Sequence, residues 1–227
     1  MDVVAIIAQK GGVGKTTLAL SLAVAAQRAG KTAALVDLDP QATASNWGDR
    51  RGNEAPVIVS AQAARLPQVL KSAEESGAQL VVIDTPPRAE QAAMAAAKAA
   101  NLILIPCRPA VFDLDTVATT LELIYHAGNQ RVAAVLNGVP ARGSKGEQAA
   151  EVIKGLNVIV CPGFFGHRAA FSDAGAVGQS AQEYDPAGKA SGEIEQVYKF
   201  VCKLLKETTQ KGVNNGKASR SAAGDVR

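Results

Sequence analysis

Val3-Val4-Ala5-Ile6-Ile7-Ala8-Gln9-Lys10-Gly11-Gly12-Val13-Gly14-Lys15-Thr16-Thr17-Leu18 is the stretch that decides the fold. Its first six residues are an apolar, β-branched run that reads as a buried strand. From Thr16 to Ala29 an Ala/Leu-rich stretch closed by Gly30 reads as a helix. A glycine-rich loop that leaves a strand, opens a helix and ends in Lys-Thr is the sequence form of a phosphate loop. Glycines allow successive backbone N–H groups to converge on phosphate oxygens, and the helix N-terminus adds positive potential. Lys15 is expected to neutralise the β- and γ-phosphates, Thr16 to place its hydroxyl on Mg²⁺, and Thr17 to reach an α-phosphate oxygen. Gly11, Gly12, Val13, Gly14, Lys15, Thr16 and Thr17 form the expected nucleotide-binding set, with ATP and Mg²⁺ as cofactors.

Outward from the loop, the run from Thr32 to Val36 ends at Asp37-Leu38-Asp39-Pro40 and completes a first βαβ unit. Leu80-Val81-Val82-Ile83-Asp84 is an apolar strand ending in one carboxylate, as a Walker B strand does; Asp84 is expected to hold the Mg²⁺ shell through water. Further strands are predicted at 57–59, 102–106, 132–136 and 158–160, with helices around 64–75, 90–99, 113–126 and 146–155. Strand and helix alternate throughout. The predicted fold is therefore α/β, a mainly parallel twisted sheet with helices on both faces, of the P-loop NTPase type. Ligand sites in such sheets lie at the carboxyl ends of the strands.

Ile194, Val197, Tyr198, Val201, Leu204 and Leu205 recur at helical spacing and predict a terminal helix docked on the core. Beyond it, Thr208 to Arg227 is polar and basic without apolar periodicity, which predicts a flexible basic tail. The expected organisation is an ATPase domain over 1–207 and a tail over 208–227. At 227 residues, 47% hydrophobic and 20% charged, the chain suits one globular domain. Cys107, Cys161 and Cys202 are odd in number and far apart, so neither a disulfide framework nor a CxxC metal pair is expected. Without a basic n-region or an apolar run of spanning length, the chain is expected in the cytoplasm.

Lys10 narrows the class, because Lys15 already serves the phosphates of its own loop. Lys10-Gly11-Gly12-Val13-Gly14-Lys15-Thr16 resembles the deviant Walker A motif of the ParA/MinD family. In that family the first lysine reaches across a nucleotide-sandwich homodimer to the partner's phosphates. The resemblance implies that Lys10 acts in trans, like an arginine finger. Val36-Asp37-Leu38-Asp39-Pro40-Gln41 is similar to the family's second acidic motif, which implies that Asp39 orients or activates the attacking water and that Asp37 lies near the magnesium shell. The competing reading of Asp39 is a turn former. Asn137 matches an asparagine that contacts adenine in relatives; its competing reading is a turn residue ahead of Gly138. Pro162-Gly163 with Arg168 occupies the usual place of a loop flanking the base, and residues 183–190 look like small plasmid ParA proteins. The chain has no helix-turn-helix extension ahead of Val3 and no amphipathic membrane-targeting end like that of MinD, so neither operator binding nor membrane cycling is expected.

Family members of this size bind duplex DNA without sequence preference as ATP dimers, and the formal net charge of +3 permits it. The candidates are Lys199, Lys203 and Lys206 on the last helix, Arg142 and Lys145 in a Gly-rich loop, and Arg168. The implied function is an ATPase associated with the nucleoid that positions a plasmid or another cargo. Its hydrolysis would be stimulated by a ParB-like or cargo-adaptor partner. Alternatives are a positioning ATPase for a microcompartment or chemosensory cluster, and a ligase similar to dethiobiotin synthetase. His126 and His167 have no ligand-spaced neighbours, and Trp47 reads as a packed loop aromatic. The sequences around Cys107 and Cys161 do not resemble the cluster loops of the related nitrogenase iron protein.

Overall fold

The side chains of β1 (Asp2–Ile6) alternate between two faces, and each face is apolar. A strand so built must be covered on both sides, which is the condition for a central strand of an α/β sheet. The computed structural model describes residues 1–52, 55–129 and 131–221, with 208–221 as backbone alone. From β1 the chain continues through α1 (Lys15–Arg28), β2 (Ala33–Asp37), α2 (Thr43–Arg51), β3 (Val57–Ser60), α3 (Leu66–Glu75), β4 (Leu80–Asp84) and α4 (Glu90–Ala99). It then forms β5 (Leu102–Cys107), α5 (Val111–His126), β6 (Val132–Val139), α6 (Lys145–Gly155), β7 (Ile159–Val160), β8 (Phe165–Gly166), α7 (Ala169–Ala176), α8 (Ala181–Tyr184) and α9 (Lys189–Ser221).

The strands pair in the order β3-β2-β4-β1-β5-β6-β7, with β8 beside the end of β6, and every pairing is parallel. The neighbours of β1 are β4 on one side and β5 on the other, so the loop leaving β1 emerges where the winding changes side. Register then brings the acidic residues level. Asp84 stands opposite Ile6 of β1 and opposite Asp37 of β2, so both carboxylates lie side by side at the carboxyl edge.

Val4, Ile6, Val82 and Leu104 pack with Leu18 and Leu22 of α1 and with Ile194, Val197 and Val201 of α9. On the opposite face Val3, Ala5, Val81, Ile83 and Ile103 meet Ala96 of α4, Val117 and Ile124 of α5, and Ile153 of α6. Much of the contact is alanine: Ala19, Ala23 and Ala26 of α1 and Ala96 and Ala97 of α4 are fully buried, which lets helix backbones approach the sheet closely.

The structure departs from the sequence reading in three places. Residues 43–51, around the Trp47 read as a loop aromatic, form α2, although its Asn, Gly and Asp residues are poor helix formers. The reason is tertiary: the Asp37 carboxylate accepts the N–H groups of Ala44 and Ser45 at 3.1 Å each and so caps the helix from a neighbouring strand. Trp47 is accordingly buried in a helix rather than packed in a loop. Its indole N–H donates to the Gln179 carbonyl at 3.1 Å, and the Arg51 guanidinium lies 5.0 Å from its ring centre. Helices α7 and α8 and strand β8 are too short for periodicity to reveal, although Ser180 and Glu183 form a capping box at α8. The boundary expected at Thr208 is not a helix end. The helical backbone of α9 runs to Ser221, because extending a docked helix needs no new nucleus. Residues 222–227, the last part of the expected tail, lie outside the described residues.

Trp47→Phe removes the indole donor that the buried Trp47 offers to the Gln179 carbonyl. The variant is expected to lose about 0.5–1.5 kcal/mol of unfolding free energy, read as a lower denaturation midpoint at unchanged m-value; a midpoint equal to wild type would contradict the bond.

Candidate nucleotide site

Two glycines give the loop after β1 its shape. Gly12 and Gly14 have φ of 72° and 91°, in the left-handed region that glycine enters without strain. A Cβ built on Gly14 would lie 1.7 Å from Nδ2 of Asn137. That amide donates to the Val13 carbonyl at 2.7 Å and so ties the loop to the end of β6. Asn137 therefore lines the cleft as a loop clamp, and in this structure its amide is directed at the loop backbone.

Lys15 opens α1 and is 7% exposed. Its ammonium donates to the Lys10 carbonyl at 3.1 Å. Burial lowers its pKa, while the Asp84 and Asp39 carboxylates act to raise it. The Thr16 hydroxyl donates to Oδ2 of Asp84 at 2.6 Å. The other oxygen of Asp84 is buried without a hydrogen-bond partner. Burial pushes the Asp84 carboxyl up to about 7, Thr16 and Lys15 oppose the rise, and Asp37 and Asp39 add to it. An orphaned carboxylate oxygen beside a threonine hydroxyl suits the hydrated shell of a divalent cation, which would supply the missing positive charge.

Asp37 lies beside Asp84, next to the expected magnesium shell, and its oxygens are engaged by donors of the chain itself. One of its oxygens accepts the Asp39 N–H at 3.0 Å, and the other takes the Ala44 and Ser45 N–H groups and the Ser45 hydroxyl. Those four donors engage it in shaping the loop that presents Asp39. Asp39 combines both readings of the sequence. It forms a turn, with Oδ1 accepting the Gln41 N–H at 2.9 Å, and it also faces the cleft with Lys15 and Thr16.

The cleft holds about 580 Å³, a volume suited to a nucleotide, and runs from Gly11, Gly12 and Thr17 to Asn137, His167 and Phe171. At the far end Phe171 stacks on Phe165 with ring centres 4.9 Å apart, giving that end a flat apolar wall. Arg108, Thr43 and Pro87 line the cleft as well and were missed by sequence reading. The rule that ligands collect at strand ends would have found Arg108, the first residue after β5.

Lys10 does not line this cleft. It lines a separate groove with Gln9, Arg88, Phe112 and His126, and its ammonium is ion-paired with Asp113 in the first turn of α5. Asp113 is buried and was not singled out from the sequence. The six basic residues expected to meet DNA fall in three places. Lys199, Lys203 and Lys206 line one depression on α9 with Tyr198, although Lys199 is paired with Glu195 at 2.6 Å. Arg142, in the loop after β6, and Lys145, the first residue of α6, are exposed. Arg168 lines the nucleotide cleft, and its guanidinium donates to Oε1 of Glu193, with Nε at 2.8 Å; the same carboxylate accepts the Gly166 N–H. Burial pushes the Cys107 thiol up to about 11 and the Cys161 thiol to about 12, so both stay protonated near neutral pH. Among the described residues no helix is long and apolar enough to cross a membrane.

The profile of the CobQ/CobB/MinD/ParA nucleotide binding domain matches residues 4–211. The chain is 36% identical over 207 residues to the maintenance of carboxysome distribution protein A of Gloeobacter kilaueensis, covering 89% of this chain and 93% of that protein. It is 31% identical over 161 residues to the chromosome-partitioning ATPase Soj of Thermus thermophilus, covering 57% of this chain and 65% of that protein. The septum site-determining protein MinD from Pyrococcus horikoshii, solved with Mg-ADP, shares the fold. Its TM-score is 0.73 at 20% identity, over 91% of this chain and 98% of that one.

The raised Asp84 carboxyl has a stability consequence. Between its ordinary 3.8 and about 7 the folded chain holds a proton that the unfolded chain has lost, so stability falls as pH rises through that window. Asp84→Asn is expected to flatten this slope in thermal melts with magnesium chelated, to be more stable than wild type above about pH 7, and to lose any magnesium-dependent gain in nucleotide affinity. A slope unchanged by the substitution would show that another group titrates there.

Proposed function

This chain belongs to the CobQ/CobB/MinD/ParA nucleotide-binding family, and from that premise we propose that it is a ParA-like positioning ATPase. In this reading it closes an ATP-dependent dimer, binds nucleoid DNA without sequence preference and carries a cargo until a partner protein stimulates hydrolysis. The observation that carries the reading is the placement of Lys10. Its ammonium is turned out of its own cleft to Asp113, next to the exposed Val111 and Phe112, which are 70% and 80% accessible. A lysine and two apolar side chains at one rim suit contact with a second copy of the chain. There Lys10 would exchange the Asp113 carboxylate for the partner's phosphates.

Within each protomer Lys15 and the loop amides hold the β- and γ-phosphates, and Thr16 with Asp84 holds Mg²⁺, whose charge offsets that of the phosphates. Asp39 orients the attacking water in line with the terminal phosphate. The turn that engages one of its oxygens fixes the direction of the carboxylate. Asp37 acts through that loop as a positioning residue. Closure lasts as long as the terminal phosphate is present, which makes the dimer a two-state element biased by nucleotide.

For the cargo, the 36% identity to a carboxysome-distribution protein along most of both chains supports a protein microcompartment. The shorter match to a chromosome-partitioning ATPase supports a DNA cargo. The rival reading as an ATP-dependent ligase draws on the CobQ and CobB members of the family; turnover with a small carboxylate and no ATP-dependent DNA binding would favour it.

Duplex DNA titrated against the protein is expected to bind with ATP and not with ADP, with a log–log salt slope that falls by roughly one unit for each phosphate contact removed. Lys10→Ala is expected to abolish this binding while retaining ATP affinity, and changing Lys199, Lys203 and Lys206 together to weaken it while leaving dimerisation intact. Equal DNA affinity in the two nucleotides would refute the switch.

Asp39→Ala is expected to dimerise with ATP but hydrolyse it roughly a hundred- to ten-thousandfold more slowly, as measured by light scattering and phosphate release. A variant that stays monomeric at saturating ATP and magnesium would remove Asp39 from the water-orienting role.

A further inference from the structure

Among the described residues, Arg108 lines the nucleotide cleft as a full positive charge with no role yet assigned to it. It follows Cys107 at the end of β5, the strand hydrogen-bonded to β1, and so emerges next to the phosphate loop at the carboxyl edge. Nη2 of its guanidinium lies 3.6 Å from the position a Cβ would take on Gly12, and its Cγ lies 3.9 Å from that position on Gly138. The side chain is thus laid across the mouth of the cleft between the loop and the end of β6. Among the described residues no carboxylate pairs with it, whereas Arg51 is tied to Glu183 and Arg168 to Glu193.

We propose that Arg108 contacts the terminal phosphate of the ATP bound in its own loop and gives the cleft its preference for ATP over ADP. The inference rests on the ATP-binding reading above. On the ATP-binding reading the first turn of α1 would receive the inner phosphates, and the part of the loop ahead of it, at Gly11 and Gly12, would border the outer end of the chain of phosphates. Lys15 serves the phosphates from the base of the cleft, where its ammonium donates to the Lys10 carbonyl, and Lys10 is held by Asp113, so Arg108 is the cation that approaches from the side of Gly12. Asp39 and Asp84 meanwhile add negative charge to the same cleft. A planar guanidinium offers two parallel donors to a phosphoryl group, which a lone ammonium does not.

Calorimetric titration of Mg-AMPPNP and Mg-ADP separates the possibilities. Arg108→Ala is expected to weaken AMPPNP binding roughly ten- to a hundredfold while ADP binding stays within about twofold of wild type. Unchanged ADP binding also serves as the check that the loop is intact. Arg108→Lys is expected to recover part of the loss. The same loss is expected when Arg108→Ala is placed in a Lys10→Ala background, because the contact lies within one protomer. Equal weakening of both nucleotides, or no weakening, overturns the proposal. An effect that vanishes in the Lys10→Ala background also overturns it, by moving the contact to the partner's nucleotide. Wild type binding neither nucleotide would refute the ATP-binding reading itself, an outcome distinct from these.

Discussion

Two carboxylates, Asp37 and Asp84, are buried side by side where β2 and β4 end, and their charge constrains everything around them. A buried charge costs several kcal/mol unless it is compensated. The two residues meet that constraint differently. Asp37 is surrounded by backbone and hydroxyl donors from its own loop and from α2, so its charge is used to build structure. Asp84 has only the Thr16 hydroxyl on one oxygen and nothing on the other, and its proton affinity rises accordingly. The first carboxylate is complete within the chain. The second is complete only with a proton or a cation, and that incompleteness marks the strand end as a candidate cation site.

The cations around the cleft are divided in the same way. Lys15 is buried at the base, Lys10 is led away by Asp113, and Arg168 is locked to Glu193. Each pairing sets the direction in which a positive charge can act. Arg108 has no such tether and overlies the loop. The pairings at Asp113 and Glu193 join elements far apart in sequence, α5 to the loop after β1 and α9 to the end of β8. Charge placement at the site thus depends on how the layers are stacked.

Helix α2 shows how far this dependence extends. Its residues carry little helical preference, and it forms because the Asp37 carboxylate caps it and Trp47 fills a space beside α7 and α8. The loop presenting Asp39 is consequently framed by a strand end on one side and a capped, anchored helix on the other. The proposed water-orienting role of Asp39 would need such a frame, since a small displacement from the line of attack lowers a rate steeply.

Much of the fold was legible in the sequence because its determinants are local. Period-2 and period-3.6 apolar runs fixed the central strands and long helices within a few residues. The spacing of Gly11, Gly12, Gly14, Lys15 and Thr16 fixed the phosphate loop, because backbone convergence on a phosphate requires those residue types at those positions. Asp84 and Asp39 were legible for the same reason, as carboxylates at the ends of apolar runs. Other features took the tertiary structure to decide: that Asp37 caps a helix, that Asn137 clamps the Val13 carbonyl, that Lys10 rests on Asp113, and that Arg168 is a tether while Arg108 is left over the loop. Each depends on which side chain from a distant segment arrives within about 3 Å of a charged or polar group. Sequence spacing carries no record of that distance, because it is set by strand order, register and the stacking of helices on the sheet.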